Sequence, residues 1–269
     1  MHSYLTTPTL LLSITCISSA ATSAILIDNF SVVGTPNPDP SPDPASQVEI
    51  TGSEISSTLL QESLGASAIG NRRISITIDP NDPFGSPGIG TDNVGRTVIS
   101  SANSRLSLQN VRGDGGGAED DYSTQHEVSW SLTGSNQNIL TNSGVANFQD
   151  LSFAVDFSTG NALPGTSNVS FTFRLVDTSD NISQYALIAN TADILAGSEL
   201  HASFLSSSGS FDGDSVKSIF FDTNLGVTAN NDFKQVNIDQ ISIVPEPTTT
   251  SLLLAFGSIS LLRRRRASL

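Results

Sequence analysis

The stretch Val169–Asp177, VSFTFRLVD, alternates apolar and polar residues along its length. Its apolar residues Val169, Phe171, Phe173 and Leu175 are spaced two apart, which is the period of a β-strand with one buried face. We therefore predict an antiparallel strand here, with a phenylalanine-rich inner face and a solvated outer face.

The same period recurs in the segments RISITID, EVSWSL and LSFAVDFS, and the chain contains 13 phenylalanines. Facing sheets of alternating phenylalanine and valine favour a sandwich core. No long segment has a helical period, although residues 56–65 and 192–205 are each expected to hold a helical turn or two. The predicted inward residues are Ile74, Ile76, Ile78, Val128, Trp130, Leu132, Leu151, Phe153, Val155 and Phe157.

Two segments at opposite ends of the chain resemble each other. IDNFSVV (27–33) matches IDQISIV (238–244), and in both the apolar phase slips by one residue after the aspartate. A slip of one residue needs a β-bulge if the apolar side chains are to stay on one face. We predict that the two strands are neighbours in one sheet, with chance similarity of short β-sequences as the alternative.

Composition and the N-terminal residues indicate an exported protein. The chain has 12 basic and 26 acidic residues, and four of the basic ones lie in the last seven residues, which leaves eight elsewhere. Such an acidic body disfavours nucleic-acid binding. Residues 1–24 are predicted to be a secretory signal peptide, the alternative being a buried strand. Cys16 is the only cysteine, so removal of this segment would leave the mature chain without a disulfide.

The segment 34–46, GTPNPDPSPDPAS, has proline at alternate positions. This pattern favours polyproline II and excludes a central strand, because proline lacks a backbone N–H. We predict an exposed loop within one domain that extends from residue 25 to residue 244.

The C-terminal segment has three parts: Val244–Pro247, an uncharged run over 248–262, and four arginines. As a helix the run is about 22 Å long, shorter than a hydrocarbon core of about 30 Å, but tilting and arginine snorkelling absorb part of the mismatch. Clustered arginines stay cytoplasmic, so the body is expected on the outer side. The two prolines are expected to hold Glu246 in an extended, exposed segment.

This three-part pattern resembles the PEP-CTERM sorting signal that bacterial exosortases recognise. The resemblance covers 245–269 and implies cleavage near the tripeptide, with a plain membrane anchor as the alternative. The arrangement of IDNF near the start and IDQISIVPEP near the end resembles jelly-roll domains of PEP-CTERM proteins, which look like carbohydrate-binding modules. The resemblance therefore implies an all-β antiparallel jelly-roll β-sandwich. The predicted signal residues are Pro245, Glu246, Pro247, Arg263, Arg264, Arg265 and Arg266.

Calcium is the one cofactor for which the residues give some support. Hard oxygen ligands are available at Asp212 and Asp214 in FDGDS, and Asp28 and Asp239 would share a site if their strands adjoin. Solvated acidic loops are the alternative. His126 and His201 lack paired metal-ligand spacing, and no nucleophile motif is found, so we predict a body without enzymatic activity.

These observations predict a cell-surface or extracellular-matrix protein. Its expected partners are the Sec translocon, an exosortase, the membrane through residues 248–262 and an exopolysaccharide. A calcium-dependent carbohydrate-binding module is the second hypothesis, and a secreted glycan hydrolase with paired carboxylates is the third.

Overall fold

The computed structural model describes residues 23–33, 45–51, 56–62, 64–78, 94–100, 102–111, 122–163, 168–227 and 233–246. Within these ranges the chain forms two short α-helices, α1 (Ile139–Ser143) and α2 (Thr191–Ala196), and is otherwise mostly β-structure. The strands are β1 (Ile25–Asp28), β2 (Ala45–Thr51), β3 (Ser56–Gln61), β4 (Asn71–Ile78), β5 (Val94–Ser100), β6 (Arg105–Val111), β7 (Tyr122–Ser131), β8 (Leu151–Phe157), β9 (Val169–Asp177), β10 (Ile182–Ala189), β11 (Glu199–Ser207), β12 (Val216–Val227) and β13 (Phe233–Pro245).

Eight of these strands have the order of a jelly roll. One layer runs β6-β13-β8-β11 and the facing layer runs β7-β12-β9-β10, with antiparallel pairing throughout. Strands β5 and β2 extend the first layer, and β4 and β3 extend the second. Because β11 pairs with both β8 and β10, it joins the layers along one side. The predicted all-β jelly-roll sandwich is confirmed.

The first strand completes the sheet beside the last one. On the edge away from β8, β13 pairs with β6 through residues 233–238 and with β1 through residues 241–243. The register shifts between Leu26 and Asp28 in β1 and between Ile238 and Gln240 in β13. The predicted neighbours and both predicted bulges are therefore confirmed.

The core consists of the alternating residues that the sequence indicates. Trp130 and the inward residues of β8 and β9 are buried. Phe153 of the first layer stacks on Phe173 of the second with ring centroids 4.3 Å apart, and it meets Tyr185 of the second layer edge-on at 4.9 Å. Aromatic contacts between the layers hold the two sheets together.

A charged pair lies inside this apolar interior. Neither Asp28 nor Arg72 has an exposed side chain, and the carboxylate accepts hydrogen bonds from Arg72 at 2.7 Å and Trp130 at 2.9 Å. The other carboxylate oxygen accepts the backbone N–H of Phe30 at 2.8 Å. Burial raises the pKa of Asp28, and the Arg72 guanidinium opposes that rise. A carboxylate in this environment is tolerated because it is paired and hydrogen-bonded.

Arg72 connects the segment after β1 to the edge of the second layer. Its Nε donates to Gln61 on β3 at 2.9 Å, and Nη2 donates to the carbonyl of Val32 at 2.7 Å. Next to these bonds, the N–H of Ile69 donates to the carbonyl of Ile27 at 2.8 Å. The N-terminal segment is thus held by both layers.

A buried histidine forms a second polar link between the layers. His126 on β7 contacts the hydroxyls of Thr97 on β5 and Thr124 on β7, each at 2.8 Å. Burial lowers the pKa of His126 to about 3 from its ordinary value near 6.5. The imidazole is therefore neutral in the folded protein at pH 7.

Some local expectations differ from the structure. Residues 56–65 were expected to hold helical turns, but most of them form strand β3, with a 3₁₀ turn over Gly65–Ser67. The region 192–205 begins with part of α2 and then becomes strand β11. Pairing with β4 at one end and with β8 and β10 at the other overrides the local preference. The predicted loop 34–46 overlaps strand β2, which begins at Ala45.

Several predictions fall outside the described residues. They are the signal peptide before residue 23, the loop over 34–44, Pro247, the apolar run over 248–262 and the arginines at 263–266. In the described part of the chain, no helix is long and apolar enough to span a bilayer.

We expect Arg72→Met to lower the free energy of unfolding at pH 7 by about 3–5 kcal/mol, because it leaves a buried carboxylate unpaired. The deficit should shrink toward pH 4, since protonation of Asp28 removes that charge. Urea denaturation at both pH values measures it. Arg73→Met, at an exposed neighbouring position, is the matched control and should cost little. Equal stability of the two variants would contradict the role of the pair.

We also expect acid to destabilise the fold through His126. Because the folded pKa lies below the unfolded one, protons bind preferentially to the unfolded chain, and stability is lost as pH falls from about 6.5 toward 3. The loss attributable to this residue approaches about 1.4 kcal/mol per pH unit. His126→Gln should remove that part of the slope, whereas His201→Gln, at an exposed histidine, should retain it. Parallel slopes for wild type and His126→Gln would show that His126 does not titrate as inferred.

Candidate functional site

The last described residues lie where the body meets the C-terminal segment. Strand β13 continues through Val244 and Pro245, which lie opposite Ser152 and Leu151 of β8. The N–H of Glu246 then donates to the carbonyl of Asp150 at 2.7 Å. These last residues are half-buried. Glu246 was expected in an exposed segment, but this pairing places it against the fold.

The N-terminal end of the described chain lies beside this junction. Ile25 pairs with Ile243, so the residues before β1 and those after β13 leave the sheet at the same end. The N–H of Ser23 donates to the carbonyl of Ser143 at 3.2 Å, and its hydroxyl donates to the carbonyl of Asn142 at 2.9 Å. We call this end, formed by Ser23, residues 138–150 and Glu246, the terminal pole.

The structure does not bring Asp28 and Asp239 together. Asp28 is buried and both of its carboxylate oxygens accept hydrogen bonds within the core. Asp239 is exposed on the opposite face of the sheet. The two similar sequences thus contain bulges that direct their aspartates differently, and Asp28 has no oxygen free for a metal ion.

The other two calcium candidates, Asp212 and Asp214, make hydrogen bonds that hold a loop in place. Asp214 accepts the N–H of Thr141 at 2.8 Å and the hydroxyl of Thr141 at 2.9 Å. Asp212 accepts the N–H of Asp214 at 3.0 Å. These carboxylates hold the loop before β12 against α1. Among the described residues no three His, Cys, Asp or Glu side chains are grouped to hold a metal ion, so calcium binding stays a prediction.

Asp239 belongs instead to a polar cleft on the outer face of the first layer, which we call the outer cleft. Its volume is about 410 Å³, and it opens where β6 begins, at Arg105, and β1 takes the place of β6 beside β13. Burial raises the pKa of Asp156 there, and the neighbouring carboxylates of Glu199 and Asp239 raise it further. The lining includes Asn29, Ser31, Asn103, Arg105, Asp156 and Asp239.

Two features are not among the predictions from the sequence: the buried Arg72 and the adjacent carboxylates of Asp156 and Glu199. Arg72 is in phase with Ile74 and Ile76, so the period of two already indicated a charged side chain on the buried face. Asp156 stands at an outward position of β8, where the alternation predicts any solvated polar residue, and β11 brings it near Glu199. Only the sheet pairing identifies the second feature.

His126 is held in the core, as described above, and His201 contacts Glu199 at 3.0 Å on the exposed face. Each histidine thus has a partner of its own, and the structure does not place the two in one site.

Comparison with solved structures finds only weak similarity. A structure of PfGH50B aligns over 54% of this chain and 21% of that chain, with 12% identity and a TM-score of 0.33. An exo-beta-agarase aligns over 84% and 26%, with 10% identity and a TM-score of 0.35. A structure from work on the promiscuous specificity of carbohydrate-binding modules of the beta-sandwich superfamily aligns over 84% of this chain and 99% of that chain, with 10% identity and a TM-score of 0.26.

In the first two matches the aligned region spans about a quarter or less of the other chain. At these scores the similarities support no argument about this protein. The comparison with curated proteins finds no match.

Comparison with family models finds one match, which covers the junction itself. The model of the PEP-CTERM protein-sorting motif matches residues 244–266, from the end of β13 to the last of the four arginines. The predicted sorting signal is confirmed, and the chain contains a PEP-CTERM protein-sorting motif.

Proposed function

We propose that this is an exported protein that an exosortase sorts and processes at its C-terminal motif, and whose body then resides at the cell surface or in an extracellular matrix. The observation that supports this most directly is the motif match over residues 244–266. In this proposal the Sec translocon exports the chain through the N-terminal signal. The membrane holds it briefly through residues 248–262.

Charge supports this topology. The arginines at 263–266 favour the cytoplasmic side, whereas the rest of the chain is strongly acidic and suited to an external aqueous layer. Both ends of the body leave at the terminal pole, so the same end faces the membrane before and after signal removal. Both chain ends of the body can therefore face the membrane while the rest of the body folds on the outer side.

We propose further that the body has a structural role without enzymatic activity. The residues most suggestive of chemistry, Asp28, Arg72 and His126, are buried and bonded to one another or to core hydroxyls. Such fully paired polar groups stabilise one arrangement of a core. An exopolysaccharide layer is the proposed environment of this domain.

Replacing Glu246 tests the sorting proposal. We expect Glu246→Ala in the full chain to retain its C-terminal segment in the membrane fraction, whereas wild type loses that segment and is released. Intact-mass analysis and fractionation of the native host measure both. Asp180→Ala, at an exposed acidic residue of the body, is the matched control and should be processed normally. Unchanged mass and release in Glu246→Ala would contradict exosortase processing through this tripeptide.

Glycan binding is a second candidate function, favoured by the outer cleft. Its amide, carboxylate and guanidinium groups provide both donors and acceptors for sugar hydroxyls. We expect Asp239→Ala to abolish any binding to an array of matrix polysaccharides, while Asp180→Ala binds as wild type. Absence of binding by wild type would exclude this candidate, and turnover of a polysaccharide would instead favour the hydrolase hypothesis.

Calcium binding by the body is tested separately from glycan binding. If Asp212, Asp214 or Asp239 contributes to a calcium site, millimolar calcium should raise the melting temperature of the body and a chelator should reverse the rise. An unchanged melting temperature would exclude a structural calcium site.

A further inference from the structure

The sorting motif and the folded body share residues. The motif match begins at residue 244, but β13 continues to Pro245, so Val244 and Pro245 belong to both. Glu246 follows with its N–H bonded to Asp150. Proteins that bind extended peptides use the peptide backbone as well as its side chains. In this protein the backbone of residues 244–246 is already paired with β8 and with Asp150.

Little chain separates this shared segment from the predicted membrane run. Pro247 alone lies between Glu246 and Thr248. Each of the two residue steps from Glu246 to Thr248 spans at most about 3.6 Å, so the terminal pole lies within about 7 Å of the start of the predicted membrane run. An enzyme in the membrane therefore meets the tripeptide beside the fold rather than on a free linker.

The end of β13 is built to separate locally. Residues 244–246 are half-buried, and beyond Pro245 this end is held through the bond from the N–H of Glu246 to Asp150. Ile243 and Leu151, in contrast, are fully buried. Strand ends with few buried contacts open at much lower free energy than the core. Opening should therefore extend over residues 244–246 and stop at Ile243.

We propose that β8 shields the sorting motif, and that the exosortase processes the protein only after residues 244–246 separate from β8. This inference rests on the proposed function. It makes the body a determinant of the processing rate, since the population of the open strand end limits access to the tripeptide. The partner surface is the terminal pole.

A reversible crosslink tests the shielding directly. Val244 and Ser152 are opposite each other, and the only native cysteine, Cys16, lies in the predicted signal peptide. We expect the full-length double variant Val244→Cys, Ser152→Cys to be processed at least tenfold more slowly in native membranes when its disulfide is formed. Reducing the disulfide should raise the processing rate of the double variant to that of the single variant Val244→Cys. The single variant controls for the change within the motif.

An insertion provides the opposite test and does not depend on disulfide formation. Six glycine and serine residues placed between Ile243 and Val244 detach the motif from β8 and leave the buried anchor in place. We expect processing in a pulse-chase experiment to become several-fold faster than in wild type. The melting temperature of the body should stay the same, which excludes general unfolding as the cause.

The outcomes separate the two proposals. If wild type is never processed, the proposed function fails. If wild type is processed, and the crosslinked protein is processed equally fast or the insertion leaves the rate unchanged, shielding by β8 is overturned while sorting remains.

Discussion

The buried carboxylate of Asp28 constrains the arrangement of the N-terminal segment. An isolated charge in such an interior is strongly unfavourable, so the fold must bring Arg72 and Trp130 to it. These three residues come from β1, β4 and β7, and the pair therefore ties β1, in the first layer, to the second. Removing one partner is costly, whereas the pair with both members present fixes the position of the described residues that follow β1, up to Val33.

That constraint determines where the ends of the body lie. Strand β13 pairs with β6 as far as Ile238. Because β1 is held in place, it pairs with the next part of the same edge, residues 241–243. Ile25 and Ile243 consequently lie opposite each other at one end of the sheet, and Glu246 is bonded to Asp150 there. A domain with both ends at one pole suits a chain that is translocated from its N-terminus and held at its C-terminus.

The polar groups divide into two kinds. Asp28, Arg72 and His126 connect strands and layers inside the sandwich, where each has a partner. Asp156, Glu199 and Asp239 lie on the outer face, where neighbouring carboxylates and partial burial raise the pKa of Asp156. Asp28 and Asp239 have similar sequence surroundings but fall into different kinds, because the extra residue of the bulge is Ile27 in β1 and Asp239 itself in β13.

Local patterns in the chain are enough to predict the inward faces of β8 and β9, the pairing of the two terminal strands and the three-part sorting signal. Each rests on local information: a period of two, a repeated slip in phase, or the order of prolines, apolar residues and arginines. The folded chain is needed to see that Asp28 pairs with Arg72, that Asp156 lies beside Glu199, and that the sorting motif begins inside a strand. Those contacts join residues far apart in the chain, and their energies depend on burial and pairing that no local pattern contains.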